Sequence, residues 1–310
     1  MPFDRKAMRK MLVGPFGVLP TPFNEQYDID PGVMHEMVSR IVDNGLTYGK
    51  GVIKISSAVG EGPMLSDNEW PILLNSAVDA ASGNAPVMLG IHYKDTKRSI
   101  DDAKRAEDLG AIALQVTPPM FNLPTQNDII SYYSSLSNSI NIGIMIYVTR
   151  GMDSPIFLDT YRKLAEFDRI VAIKWSPFLD DYEDIFQFTN HFNIIDNTVN
   201  PVRCIKLGGH GWVQTTLDAN PSHDLKVWDL LQKCKYEDAE QLYRPVQDLL
   251  RGFIDRISSR TGGQSIIPKA LSQIMGYPVG NSRPPSGTLT ESELVELKKG
   301  IAKLGWPVPD

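Results

Sequence analysis

Cysteine is nearly absent from this chain: 310 residues hold only Cys204 and Cys234. Two thiols make neither a disulfide framework nor a metal cage, and they suit a reducing cytoplasm. The five histidines show no HExxH or paired spacing, so no metal site is expected. No apolar stretch is long enough to span a bilayer, so a membrane is not among the expected partners. The opening residues 1–14 are basic but lack an apolar h-region, so no secretory signal is expected and the location read is cytoplasmic. Basic clusters are missing as well, and a formal charge of −6 argues against nucleic acid. Neither an internal repeat nor a low-complexity tract occurs. Leu207-Gly-Gly-His-Gly211 is glycine-rich without being a GxGxxG pattern, so a dinucleotide is not indicated.

What is present is ordinary globular material, 42% hydrophobic and 22% charged, long enough to bury a large core. Short apolar runs alternate with amphipathic segments. Strand-like runs are Gly17–Pro22, Gly51–Ser57, Pro86–His92, Ala111–Thr117, Ile142–Thr149, Ile170–Ser176, Phe192–Asp196 and Gly211–Thr216. Their near-continuous hydrophobicity fits parallel strands covered on both faces.

Helical patterns lie between them. Asp30-Pro31 is a cap with proline at the first helical position, opening a stripe that ends at Gly45. Ser66 and Glu69 have capping-box spacing. Further helices are read over Thr96–Leu109, Thr125–Ser137, Leu158–Glu166, Asp180–Asn190, Pro201–Leu207 and Pro221–Cys234. Strand–helix units in this order predict an α/β fold, a (β/α)8 TIM barrel over residues 1–234, with an open doubly wound sheet as the alternative. A C-terminal three-helix extension, residues 235–310, follows as Tyr236–Ile257, Gln264–Met275 and Thr290–Leu304.

Lys174 is the most informative residue. It closes the apolar run Ile170-Val-Ala-Ile-Lys-Trp-Ser-Pro177. Burying an ammonium is costly, and burial lowers a lysine pKa until a neutral amine can attack a carbonyl. Tyr147 occupies the matching place in Ile142-Gly-Ile-Met-Ile-Tyr-Val-Thr149. Both fall near the C-terminal ends of strands, where barrels carry catalytic groups. A strand-borne lysine beside a tyrosine points to Schiff-base chemistry on an oxo acid, the hydroxyl shuttling protons. A buried ion pair is the bland alternative for Lys174. Lys54, expected to point between sheet and helices, and Lys206, expected on a short helix, rank below it. Ser56-Ser-Ala-Val-Gly-Glu61 is a small-residue loop whose N–H groups could face an anion as a nest, with Ser56 or Ser57 adding a hydroxyl; a plain tight turn is the other reading.

Together these segments resemble the dihydrodipicolinate synthase / N-acetylneuraminate lyase family of class I aldolases. The resemblance runs over Gly17-Val-Leu-Pro-Thr-Pro-Phe23, Ser57-Ala-Val-Gly-Glu61, Thr117-Pro-Pro, Pro124-Thr-Gln126, Tyr147, Lys174, Leu207–Gly211, Gly276-Tyr-Pro-Val-Gly and Arg283-Pro-Pro. It implies a lyase with Lys174 and Tyr147 as catalytic residues and pyruvate or another 2-oxo acid as imine partner. It further implies no cofactor beyond the covalent imine, and a homotetramer. Carried onto this chain, substrate binding is expected from Ser57, Ala58, Val59, Gly60, Val213, Phe121, Trp175, Arg150 and His92. Ala58 and Val59 stand where the family has hydroxyl residues, Phe121 where it has a relay tyrosine, and Met152 where the synthase's carboxylate-holding arginine falls, Arg150 being out of register. A phenylalanine cannot relay a proton and a methionine cannot hold a carboxylate. The resemblance therefore implies a divergent member rather than the lysine-pathway synthase. Aldol cleavage or condensation, dehydration of a 2-oxo-3-deoxy sugar acid, and a catalytically inactive oxo-acid-binding barrel remain as readings.

Overall fold

The computed structural model describes residues 3–92, 94–119, 123–148, 155–177, 181–262 and 264–309. Eight parallel strands follow one another around a closed barrel. They are β1 (Gly14–Val18), β2 (Val52–Ile55), β3 (Val87–Ile91), β4 (Ala113–Val116), β5 (Gly143–Tyr147), β6 (Ile170–Trp175), β7 (Asn193–Asp196) and β8 (Gly211–Gln214). Closure is explicit in the pairing of β1 with β8, where Gly14 meets Gly211 and Phe16 meets Val213. This excludes the open sheet. β1 begins three residues before the expected Gly17. Pro20 and Pro22 have no N–H for a ladder, so the latter half of that run leaves the sheet.

Side-chain alternation sorts each strand into two faces. The inward residues Phe16, Val52, Met88, Ala113, Met145, Ala172 and Ile195 form one apolar layer. The outward residues join the helices in the main core. A helix that the apolar pattern does not announce, α1 (Arg5–Met11), closes the N-terminal end of the barrel by adding Met8 and Leu12 to the inner layer. Arg5 donates to the carbonyls of Ala165, Ile170 and His191, and Arg9 to those of Thr189 and Asn190 and to Asn193 Oδ1. Those bonds satisfy carbonyls at the barrel's lower rim and fix α1 there.

The outer ring is α2 (Pro31–Asp43), α3 (Glu69–Ala81), α4 (Thr96–Asp108), α5 (Gln126–Ser137), α6 (Leu158–Leu164), α7 (Pro201–Lys206) and α8 (Pro221–Gln232). Asp30 caps α2 through the Val33 N–H, with proline at the helix start. The box at Ser66 is half formed: Glu69 accepts from the Ser66 N–H, but α3 begins after Asn68. Between β6 and β7 the expected helix from Asp180 is only a 3-10 turn, Asp184–Phe188; residues 178–180 lie outside the described residues. Three helices follow the barrel: α9 (Tyr236–Ile257), α10 (Ile266–Ile274) and α11 (Glu291–Lys303), packed around their own apolar cluster. Among the described residues no helix is long and apolar enough to cross a membrane.

Candidate active site

Two residues beyond the apolar layer, on the same inward face, the strands carry polar side chains. Lys174 follows Ala172 on β6, and Tyr147 follows Met145 on β5; the two are paired in register. The Lys174 ammonium lies 3.8 Å from the centroid of the Tyr147 ring. Lys174 is 6% exposed, and burial draws its pKa down to about 7. Among the described residues no carboxylate pairs with it. A large fraction of this amine is therefore neutral and nucleophilic near neutral pH.

His92, just past β3, stands edge-on to Tyr147 with ring centroids 6.4 Å apart. Burial first, then the charges of Lys174 and Lys54, push its pKa to about 3, so its imidazole is neutral. Gly90 makes room for it: a Cβ there would come within 2.7 Å of His92 Nε2 and 2.4 Å of the Ser56 carbonyl.

Lys54 corrects an expectation. It does not point between sheet and helices but into the barrel, because Val52, two residues earlier, already faces inward. It is wholly buried, and its Nζ donates to Gln115 Oε1 at 2.7 Å. Burial, and secondarily Lys174, hold it well below the usual lysine range. Lys54 and Gln115 are thus members of the site that sequence reading missed. Their signal was parity: each is a polar residue two steps from an inward apolar one.

The loop after β2 forms one wall. Ser56 and Glu61 both have positive φ, 52° and 56°. The turn is closed by Glu61 N–H to Ala58 O and Gly62 N–H to Ser57 O, while Thr21 Oγ1 donates to Gly60 O at 2.5 Å. Gly60 passes so close to β1 that a Cβ would sit 2.6 Å from Leu19 O. Among the described residues, the N–H groups of Ala58, Val59 and Gly60 find no acceptor, and Ser57 Oγ is buried without a partner. A row of free donors in a fixed turn is an anion-binding geometry. The loop is anchored from outside the barrel: Glu61 and Lys269 of α10, both buried, form an ion pair of 2.9 Å. Lys269 also donates to Asn281 O and lies 4.4 Å from the Phe23 ring centroid. No local sequence signal marks a contact spanning residues 61 to 269.

Val213 faces inward on β8, paired with Phe16. Trp175 does not join the site. Adjacent strand residues point to opposite faces, so with Lys174 inward Trp175 turns outward, packing edge-on to Tyr161 and donating Nε1–H to Tyr182 O at 2.9 Å. Phe121, Arg150 and Met152 lie outside the described residues.

The arrangement resembles known proteins along nearly its whole length. The profile of the dihydrodipicolinate synthetase family matches residues 11–304. A 4-hydroxy-tetrahydrodipicolinate synthase 1 of Halalkalibacterium halodurans is 28% identical over 288 residues, covering 91% of this chain and 93% of the relative. The dihydrodipicolinate synthase of Aquifex aeolicus has the same fold, with a TM-score of 0.83 at 22% identity, over 96% of this chain and 100% of that one. CdNal of Clostridium difficile, solved in complex with mannosamine, has a TM-score of 0.81 at 19% identity, over 94% and 99% of the two chains. The chain belongs to the dihydrodipicolinate synthetase family, a family of the Schiff-base aldolase class.

Proposed function

We propose that this protein is a lyase that joins or cleaves a carbon–carbon bond next to pyruvate or a related 2-oxo acid, through an imine on Lys174. The observation that carries the reading is the Lys174 amine itself: buried, set against the Tyr147 ring, and without a carboxylate partner among the described residues. The neutral amine attacks the keto carbon, and the carbinolamine loses water to give the imine. Proton transfer to the departing hydroxyl falls to the Tyr147 hydroxyl. The substrate carboxylate fits the free N–H row of Ala58, Val59 and Gly60, with Ser57 Oγ beside it. Loss of a proton from the adjacent carbon gives an enamine, which attacks an aldehyde carbonyl. In the cleavage direction the same bond breaks and the aldehyde leaves. Water then hydrolyses the imine and frees the amine. His92, neutral and edge-on to Tyr147, is the neighbour to which this reading gives a supporting role beside the hydroxyl.

The apolar replacements at Ala58 and Val59, with Phe121 and Met152, support a substrate other than that of the relatives named as synthases. A panel of 4-hydroxy-2-oxo acids and 2-oxo-3-deoxy sugar acids, followed by mass spectrometry, tests this. Release of pyruvate with an aldehyde is expected. Loss of water with every carbon retained would establish a dehydratase instead, and no turnover of any compound by the folded protein would favour a barrel that only binds oxo acids.

A further inference from the structure

At the end of the barrel opposite Lys174 lies a cavity of about 580 Å³, within the roughly 300–1,000 Å³ typical of small-molecule sites. Val13, Asn193 and His210, at the starts of β1, β7 and β8, place it under the N-terminal ends of the strands. Its lining is cationic: Arg5, Lys6, Arg9 and Lys10 of α1 stand beside His191 and His210, and no carboxylate is among the described lining residues. On a chain of formal charge −6 this is a local inversion of sign. The fold gathers it, since α1 brings the four cations and the segments before β7 and β8 bring the imidazoles. Among the described residues the guanidiniums bond to uncharged acceptors. Arg5 donates to the carbonyls of Ala165, Ile170 and His191, and Arg9 to those of Thr189 and Asn190 and to Asn193 Oδ1. These bonds fix the two charges without neutralising them. Burial first, then the charge of Arg9, lower the Arg5 pKa, with Asp168 opposing them. Burial lowers that of Arg9 as well. Burial first, then Arg9, push His210 to about 4, so its imidazole is neutral. Its Nδ1 accepts from the Ile194 N–H at 3.4 Å, so its proton sits on Nε2, one more donor at the cavity wall. Like charges therefore share a partly desolvated space, a cost that a bound anion relieves.

We infer that this cavity binds a small polyphosphate anion, the diphosphate group of a phosphorylated small molecule. Arg5 and Arg9 are four residues apart on α1, as are Lys6 and Lys10, so each pair stands one turn apart with Cβ atoms about 5–6 Å from each other. Two parallel pairs of cations match two linked phosphoryl groups better than one. Among the described residues Arg5 donates only through Nη1 and Nη2, which leaves its Nε–H for the anion. Guanidinium forks suit phosphate oxygens, and the exposed Lys6 and Lys10 add mobile point charges. The volume beyond two phosphoryl groups takes the rest of the molecule, against Val13 and the imidazoles. The site does not depend on the imine reading, because none of its residues belongs to the polar layer around Lys174. It bears on the fold instead: α1 also seals the barrel with Met8 and Leu12, so an occupant holds that seal in place.

Calorimetry on the full chain with inorganic pyrophosphate, at constant ionic strength, tests it. Wild type is expected to show one saturable site per chain with a Kd below about 1 mM. The double variant Lys6→Gln with Lys10→Gln, at exposed positions, should weaken binding by roughly tenfold or more, while Lys6→Arg with Lys10→Arg should retain it. Lys206→Gln, outside the cavity, should change nothing. No saturable binding, or binding that survives the glutamine pair, would overturn the site. So would equal weakening by Lys206→Gln, since a diffuse charge effect would then suffice. Loss in both double variants would also count against it, because charge would not be what is read. A short single-stranded RNA bound more tightly than pyrophosphate would make this face a nucleic-acid surface and sink the small-molecule assignment.

Discussion

The barrel interior has two layers, and they differ by two residues along the same strands. Val52, Ala113, Met145 and Ala172 belong to an apolar layer sealed from below by Met8 and Leu12. One inward step further, the same strands carry Lys54, Gln115, Tyr147 and Lys174. The first layer contributes stability by burying apolar surface. The second gives some of it back, since two desolvated amines share that space. The contrast teaches that the polar layer is not explained by folding. Its amines are kept against a cost, relieved among the described residues by the Lys54–Gln115 hydrogen bond and the Tyr147 ring over Lys174.

The comparison can be broken most sharply on β5, where both layers are one side chain apart in kind. Tyr147→Phe keeps the ring and removes the hydroxyl. Imine formation, followed by stopped-flow or quenched trapping, should slow about 10²–10⁴-fold, the usual worth of a positioned acid–base group, with the melting temperature little changed. Met145→Ala should do the reverse: it is fully buried, so stability should fall by roughly 2–5 kcal/mol in urea titration, while the folded fraction still forms the imine.

Next in size is the effect of proton uptake. The Lys174 pKa of about 7 lies below its unfolded value near 10.4, so the unfolded chain binds more protons between these pH values. Stability should therefore rise with pH across that window, and the burial cost should be complete below about pH 7. Lys174→Met should remove this slope and stabilise the fold at neutral pH by on the order of a few kcal/mol. Imine formation should climb from acid pH and level off above about pH 7. A stability curve unchanged by Lys174→Met would show that the amine is not desolvated as described. Smallest is Lys54→Met. It removes one buried amine but leaves Gln115 Oε1 without its donor, so the two terms offset to within about 1–2 kcal/mol, and trapping at Lys174 should survive.

Much of this was legible in the residues. Parallel strands covered on both faces read as apolar runs, which is why all eight strands could be placed. β1 was displaced because its apolar run continues through Pro20 and Pro22, which belong to the mouth rather than the sheet. α1 was missed because seven residues contribute only Met8 and, just beyond, Leu12 to the interior. Lys174 and Tyr147 stood out because each ends a run that is otherwise apolar. Parity could have settled two others: Lys174 and Trp175 cannot both face inward, and Lys54 must share a face with Val52. The Glu61–Lys269 pair is different, because it joins segments far apart in the chain.

The central claim is that Lys174, and not the still more deeply buried Lys54, carries the imine. Incubation with pyruvate and borohydride, followed by intact mass and peptide mapping, tests it most directly. The account predicts one reduced pyruvate per chain, mapped to Lys174 and lost in Lys174→Ala. An adduct on Lys54, or none in the folded protein with pyruvate or larger 2-oxo acids, would contradict it.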